Sequence, residues 1–248
     1  MFVALAVYAQ SLTGFALALI LLGLIGATDL VPLTDAVNAV TVMVFATACT
    51  FLYRRWPLEL ERSLWPAVAS SIAGTVVGTI LLTWLAGAAY EVLRLLLGLS
   101  IIFCALLLWR AAEPWESVSS REAFVLAGGI SGLLGGMFSA PGPPLVYLMY
   151  RQPLAYARVQ ESLILFFGII ALLRLAIVVP AGQFSIDAVQ LAAEGIPVVF
   201  FVTSIAARRP PPLPPKLLKT IVCLLLVITG VGMIGAAVSA MSQVTANY

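Results

Sequence analysis

The chain has 248 residues, of which 62% are hydrophobic and 10% are charged, and its mean hydropathy is +1.10. This composition excludes a soluble domain, which carries roughly 45–50% apolar residues, and the net charge of +2 is too small to indicate nucleic-acid binding. We therefore predict a single integral membrane domain over residues 1–248, made of helices and embedded in a lipid bilayer.

Eight apolar segments follow one another along the chain, and each is close to the roughly 20 residues that a spanning helix needs. They cover residues 2–27, 35–53, 64–86, 92–110, 123–149, 154–180, 186–207 and 217–240. The first segment has no basic region before it and no small-residue cleavage site, so we do not expect a removable signal peptide. Cys49, Cys104 and Cys223 lie singly inside these segments and are interpreted as small core residues.

The two halves of the chain resemble each other. The stretch SLTGFALALILL from Ser11 aligns with GLLGGMFSAPGP from Gly132 at an offset of 121 residues. In the same way, AVNAVTVMVFAT from Ala36 aligns with RVQESLILFFGI from Arg158 at an offset of 122. Weak internal symmetry of this kind is typical of transporters built from repeats. We expect a first repeat over 1–110, a cytoplasmic linker over 111–122 and a second repeat over 123–248.

The charged loops change sign between the halves. In the first half, the loop after segment one carries Asp29 and Asp35, and the next loop carries Arg54, Arg55 and Arg62. In the second half the first loop carries the bases and the second carries none. By the positive-inside rule the halves are inverted, which four plain crossings in each half cannot produce. We therefore predict an all-α membrane fold in which each half has one broken, re-entrant segment plus three transmembrane helices.

Glycine and proline locate the two breaks. The first break is predicted at Thr13 and Gly14, and the second within residues 135–144. This topology defines a multi-pass protein of the bacterial inner membrane with eleven of the thirteen basic residues on the cytoplasmic face. These eleven are Arg54, Arg55, Arg62, Arg110, Arg121, Arg151, Arg158, Arg208, Arg209, Lys216 and Lys219.

The breaks are the predicted path for a small anion. Irregular backbone at membrane depth is tolerated only where protein buries it or where it lines a polar cavity. Pro143 and Pro144 suit the first turn of a half-helix, so we expect free amide donors and the positive end of its dipole to face the break. Glycines let the backbone approach a ligand, although the ladder of Gly128, Gly132 and Gly136 fits close helix packing equally, and for Gly74 and Gly78 we favour packing.

Polar side chains near the breaks complete the predicted site. Asn38 and Gln160 occupy aligned positions in the two halves, and Arg174 is predicted either to pair with Glu194 or to bind the substrate. Glu161 lies deep enough for proton coupling, with pairing to Arg158 as the alternative. The predicted substrate-binding residues are Gln10, Ser11, Thr13, Gly14, Asn38, Ser131, Gly135, Gly136, Ser139, Gly142, Gln160 and Arg174.

The motif GGISGLLGGMFSAPGPPLVYLMY, together with AQSLTGFALALILL, resembles the TauE/SafE family of sulfite exporters over almost the whole chain. The first copy has Ala16 and Leu22 where the family commonly has glycine and proline, so we expect a gentler first break. The resemblance implies transport of sulfite or an organosulfonate such as sulfoacetate, usually as export. We expect it to proceed by alternating access around the two broken helices.

Other function classes fit the sequence less well. The chain has no histidine and no recognisable catalytic or nucleotide-binding motif, so we expect no enzyme activity, no metal and no cofactor. An intramembrane enzyme would need a nucleophile and a base that the sequence does not offer. The alternative that remains is a non-transporting membrane scaffold that binds a soluble sulfur-metabolism partner through its basic loops. A homodimer is a further expected arrangement.

Overall fold

The computed structural model describes residues 2–13, 15–28, 31–57, 61–110, 115–208 and 215–246. These ranges contain ten helices and no strand, which confirms the predicted all-α class. The helices are α1 (Phe2–Thr13), α2 (Ala16–Thr28), α3 (Leu33–Arg54), α4 (Leu64–Ala88), α5 (Tyr90–Arg110), α6 (Arg121–Phe138), α7 (Pro143–Tyr150), α8 (Tyr156–Val178), α9 (Ile186–Arg208) and α10 (Pro215–Ala246).

Six of these helices are long and apolar enough to cross a membrane, namely α3, α4, α5, α8, α9 and α10. They match the six unbroken segments predicted from hydropathy. The other two predicted segments are each divided, the first into α1 and α2 and the fifth into α6 and α7. The chain is therefore a multi-pass membrane protein in which two apolar segments are interrupted, as glycine and proline in those segments indicated.

The second broken segment returns to the end of the bundle where it began. The N–H of Trp115, before α6, donates to the carbonyl oxygen of Arg151, after α7, over 2.7 Å. The Arg151 guanidinium lies 4.9 Å from the centre of the Trp115 ring. Ser119 and Gln152 exchange two further hydrogen bonds, from the Ser119 N–H and from Gln152 Nε2. Helices α6 and α7 therefore form a re-entrant hairpin with its tip at residues 139–142.

The two ends of the bundle differ in charge. At one end the N–H of Glu61 donates to the Ser162 hydroxyl over 3.0 Å, which joins the α3–α4 connection to the start of α8. This basic end carries exposed or half-buried arginines, namely Arg54, Arg55, Arg62, Arg110, Arg121, Arg151 and Arg158. At the opposite end, the Ser185 hydroxyl donates to Asp35 and Asn38 Nδ2 donates to the Gln183 carbonyl oxygen, both over 2.7 Å. The described arginines that were predicted to share one face thus lie at one end of the bundle.

Small residues bring α4 and α6 into close contact. A Cβ atom added to Gly132 or Gly136 would clash with the carbonyl oxygens of Ser71 or Thr75 on α4. A Cβ atom on Gly78 would clash in turn with the carbonyl oxygen of Leu133 on α6. Without a hydrophobic effect between apolar helices in lipid, such close approach supplies the packing energy. The packing interpretation is therefore right for Gly78, and it holds for Gly136 as well.

Helix contacts correspond between the two halves of the chain. Helices α1 to α5 of the first half correspond in order to α6 to α10 of the second. The contact of α4 with α6 then corresponds to that of α9 with α1, and the contact of α3 with α9 to that of α8 with α4. The contact of α2 with α10 corresponds to that of α7 with α5. Helices α3 and α8 contact each other, as do α5 and α10. These contacts thus keep their counterparts when the first five helices are exchanged for the last five, whereas the contacts of α5 with α2 and with α4 have none of similar extent.

Candidate functional site

The two breaks lie against each other inside the bundle. A Cβ atom built on Gly142, in the second break, would stand 3.7 Å from Leu19 and 3.9 Å from both Cys104 and Phe15. Phe15 lies directly after the first break, and its ring packs edge-on against Tyr150 with the ring centres 6.5 Å apart. The predicted site residues Gly14 and the side chain of Thr13 lie outside the described residues. The rest of both breaks is therefore brought to one region.

Arg174 is the centre of a buried polar cluster near the opposite end. Its Nε donates to the Gly136 carbonyl oxygen over 2.9 Å. Its Nη1 donates to Asn38 Oδ1 over 3.0 Å and to Thr41 Oγ1 over 2.7 Å. The side chain is 1% exposed. We call Arg174, Asn38, Thr41, Gly136 and Ser139 the arginine cluster.

The arginine cluster holds a cation without an anion. Glu194 is exposed on α9, and in the described part of the chain Arg174 bonds only to neutral acceptors. The predicted ion pair between Arg174 and Glu194 is therefore wrong. The physical reason is that Glu194 lies on an exposed part of α9, whereas the Arg174 guanidinium is buried against α3 and α6. A buried charge in a membrane is costly unless it is paired, so Arg174 is a candidate for a functional residue.

One nitrogen of the guanidinium is still available. Within the described residues Arg174 Nη2 is buried and has no hydrogen-bond partner. A buried donor left unpaired costs about 1–3 kcal/mol, and more when it is charged. An oxyanion at Nη2 would remove that cost through charge-assisted hydrogen bonds. The unused hydrogen-bond donor of Arg174, Nη2, is thus the chemical feature of the cluster that points to an anion.

Ser139 connects the tip of the second break to this cluster. It ends α6 with φ at 52°, in the left-handed region that disfavours side chains. Its N–H donates to the Gly135 carbonyl oxygen over 2.8 Å. Its hydroxyl forms a short hydrogen bond with the hydroxyl of Thr41 and lies 3.4 Å from the Val37 carbonyl oxygen. The predicted residues Asn38, Gly136, Ser139 and Arg174 are therefore brought together.

Thr41 is the member of this cluster that sequence reasoning missed. It follows Asn38 by three residues, so both side chains lie on one face of α3. Its hydroxyl also lies 2.7 Å from the Val37 carbonyl oxygen, one turn earlier. The helical spacing from Asn38 was the available signal, but a threonine inside an apolar helix usually bonds only to its own backbone.

The start of α7 does not offer the free amides that we expected. Pro143 and Pro144 do occupy its first turn, but proline carries no N–H. The next N–H, of Leu145, donates to the Ser131 hydroxyl over 3.1 Å, and that of Val146 donates to the Gly142 carbonyl oxygen over 2.9 Å. The expectation of free donors at this terminus is therefore corrected. Ser131 holds the two arms of the hairpin together.

The glycines of the second break differ in their surroundings. A Cβ atom on Gly135 would come within 2.6 Å of Ile170 and 2.9 Å of Pro141, whereas one on Gly142 would make ordinary contacts. Gly136 turns its Cα toward α4 and contributes its carbonyl oxygen to Arg174. The backbone of Gly136 thus serves helix packing and the site together.

A second polar cluster lies near the basic end. Gln160 Nε2 forms a short hydrogen bond with the Ser11 carbonyl oxygen at the end of α1. Gln10 and Ser11 are 1% and 3% exposed, and among the described residues Gln10 Nε2 and Ser11 Oγ have no partner. Glu161, 6% exposed, follows Gln160 on α8. We call Gln10, Ser11 and Gln160 the glutamine cluster.

The predicted site residues therefore form two clusters. Gln160 and Arg174 both lie on α8, 14 residues apart, which is about 21 Å along a helix axis. Asn38 and Gln160, predicted as a pair from the alignment of the halves, belong to different clusters. The two polar clusters, one charged and one neutral, thus lie at different depths along α8.

Comparisons with known proteins show the family to which this chain belongs. The family model described as "Sulfite exporter TauE/SafE" matches residues 1–233. A protein of Cupriavidus necator named "Probable sulfite/organosulfonate exporter TauE" is 31% identical over 237 residues, which covers 94% of this chain and 91% of that protein. No solved structure matches the chain.

Proposed function

Because the chain belongs to the sulfite exporter TauE/SafE family, we propose that it moves a small sulfur-containing anion, sulfite or an organosulfonate, out of the cytoplasm across the bacterial inner membrane. The observation that carries this proposal is the unpaired Nη2 of Arg174. Arg174 is 1% exposed, and its other guanidinium nitrogens, Nε and Nη1, donate to neutral groups.

The arginine cluster suits a group with three equivalent oxygens. A sulfonate or sulfite needs several donors in different directions, and one guanidinium edge supplies the charge-assisted part. The hydroxyls of Thr41 and Ser139 lie beside it and can reorient toward an oxygen. Because the other donors are neutral, the ion is held without being trapped, as transport requires.

We infer that the two halves are inverted repeats that rock around the breaks. The corresponding helix contacts of the halves and the opposite charge of their loops support this arrangement. On this model the anion passes from the glutamine cluster near the basic, cytoplasmic end to the arginine cluster near the opposite end. The hydrogen bond from Asn38 to the Gln183 carbonyl oxygen then closes the outer side.

Glu161 is the proposed coupling residue. It is 6% exposed and follows Gln160 directly. The charge of its carboxyl group would therefore change the affinity of the glutamine cluster for an anion. If export is coupled to protons through this carboxyl, Glu161→Gln removes the stimulation of flux by a pH gradient and leaves anion binding in place. Retained stimulation in that variant assigns Glu161 a structural function.

A flux measurement tests the proposed function. Proteoliposomes loaded with radiolabelled sulfite or methanesulfonate should lose label faster than protein-free vesicles, and unlabelled substrate outside should accelerate the exchange. Vesicles containing Arg174→Gln are the matched control. No flux above that control across a panel of sulfur oxyanions and sulfonates would contradict transport.

The scaffold hypothesis rests on the exposed arginines of the basic end, such as Arg54 and Arg62. These side chains could attract an acidic soluble protein. A scaffold has no use for an anion at Arg174, so binding of methanesulfonate to the purified protein alone would argue for transport. Retention of an acidic partner by a chain that binds no anion would argue for the scaffold.

A further inference from the structure

We propose that the arginine cluster selects monoanions and rejects dianions, so that the substrate is a monosulfonate or hydrogensulfite rather than doubly charged sulfite, sulfate or sulfoacetate. This inference rests on the proposed function and narrows its substrate class. It follows from the number of charges in the site. Arg174 brings one positive charge, and each group bonded to it is neutral.

The other buried arginine of the described residues, Arg94, does not contribute a second positive charge to the arginine cluster. Arg94 is 4% exposed, and its Nη2 donates to the Gly26 carbonyl oxygen over 2.6 Å. Its Nη1 lies 3.6 Å from the Glu91 carboxylate. Arg94 therefore joins α5 to α2 and already has an acidic neighbour. It adds no second charge for a substrate at Arg174.

Charged groups on the elements that pack on α8 are also accounted for. On α3, the Asp35 carboxylate accepts a hydrogen bond from Ser185. Helices α4 and α7 carry no aspartate, glutamate, lysine or arginine. Arg121 and Glu122 of α6, and Arg158 and Glu161 of α8, lie toward the basic end. Among the described residues, no carboxylate forms an ion pair with Arg174, whose hydrogen-bond partners are neutral.

The free energy of binding depends on the net charge that the filled site leaves in a medium of low dielectric. A monoanion at Nη2 makes the filled site neutral and satisfies a buried donor at once. A dianion would leave one uncompensated negative charge inside the membrane, where desolvation exceeds what neutral hydroxyl and amide donors return. We therefore expect dianions to bind at least about tenfold more weakly than monoanions of equal size.

Methanesulfonate and methylphosphonate provide a matched pair of probes. They have nearly the same size and shape, but methanesulfonate is a monoanion at every usable pH, whereas methylphosphonate becomes a dianion above its second pKa. Isothermal titration of the full-length purified protein is done below and above that pKa. We expect similar affinities for both probes at the lower pH. At the higher pH methylphosphonate should weaken at least about tenfold, while methanesulfonate changes less than about twofold.

The outcomes separate this inference from the proposed function. Methylphosphonate binding that is equal or tighter as the dianion would overturn monoanion selection and leave anion transport intact. Failure of methanesulfonate to bind at either pH would contradict the proposed function itself. Arg174→Lys should keep the preference for monoanions, and a folded Arg174→Gln should lose methanesulfonate binding. The comparison on the unaltered protein decides the question even if either variant fails to fold.

Discussion

The arginine cluster and the glutamine cluster occupy related places in the two halves and differ in chemistry. Each joins one break to a helix of the other half, Ser139 to α3 in the first case and Ser11 to α8 in the second. Asn38 and Gln160, which align in the sequence, take part in one cluster each. Yet the arginine cluster contains a charged side chain, whereas the glutamine cluster consists of neutral side chains. Among the described residues, two donors of the glutamine cluster, Gln10 Nε2 and Ser11 Oγ, have no partner.

Under the proposed function, this difference would allow the protein both to bind an anion and to release it. A buried cation attracts an anion strongly, whereas neutral amides and hydroxyls solvate it weakly. In the proposed orientation, affinity for the anion would increase from the glutamine cluster near the basic end to the arginine cluster near the opposite end. Substitutions in the two clusters test whether anion binding follows this asymmetry.

The largest effect is expected from removing the charge. Arg174→Gln eliminates the cation and its charge-assisted hydrogen bonds, each of which contributes roughly 1.5–3 kcal/mol, so methanesulfonate affinity should fall at least about 100-fold. Isothermal titration of the purified variant measures this loss. Arg174→Lys retains the charge and is the matched control, with an intermediate loss because lysine lacks the planar fork. Equal affinity of Arg174→Gln and the parent protein for methanesulfonate would show that the charge of the arginine cluster does not bind the anion.

Close packing behind the arginine cluster gives the next effect. In Gly136→Ala the added Cβ would clash with the Thr75 carbonyl oxygen on α4, so the melting temperature in detergent should fall by an amount that reflects about 2–3 kcal/mol. Gly129→Ala, on the same helix, is the control because its Cβ would meet nothing within 4 Å. That variant should be as stable as the parent or slightly more so. Equal stability of the two variants would contradict the packing of α6 on α4.

Asn38→Ala and Gln160→Ala compare the aligned positions directly. Asn38 accepts from Arg174 and donates to the Gln183 carbonyl oxygen, so its loss should weaken anion binding about tenfold. Gln160 bonds a backbone carbonyl in the neutral cluster, so Gln160→Ala should weaken binding by less than about threefold. Both dissociation constants come from the same titration. A larger loss at Gln160 would reverse the proposed order of the clusters.

Ser11→Ala should have the smallest effect. The Ser11 hydroxyl is buried and unpaired, so removing it leaves no partner unsatisfied and the melting temperature should stay within error or rise slightly. Equilibrium binding at the arginine cluster should be unchanged, while the rate of flux from the cytoplasmic side should fall modestly. A strong loss of equilibrium binding in this variant would place the main site at the glutamine cluster.

The helices were largely predictable because hydropathy is a property of each residue and can be read along the sequence without knowledge of distant contacts. The segment predicted over 35–53 is the helix Leu33–Arg54, and the one over 186–207 is Ile186–Arg208. The breaks were also predictable, since proline and glycine limit a helix locally and Pro143 and Pro144 do begin α7. The length of the apolar stretch and the cost of unpaired backbone in lipid fix these features together.

The partners within the site could not be predicted, because they depend on contacts between distant residues. The bond from Arg174 to Asn38 joins residues 136 apart, and the sequence left open whether Arg174 pairs with Glu194. Ser131 was expected to bind substrate, but its hydroxyl accepts from the Leu145 N–H across the hairpin. Such pairings follow from how the helices pack, and hydropathy does not specify that.

The most direct test of the account is to locate the bound anion. Crystals grown with 2-bromoethanesulfonate would carry an anomalous scatterer attached to the sulfonate. We expect the bromine peak within one ligand length of Arg174, with a sulfonate oxygen at hydrogen-bond distance from Nη2 between α3 and α8. An anomalous peak confined to the exposed arginines of the basic end, with nothing at Arg174, would contradict the assignment of the arginine cluster as the substrate site.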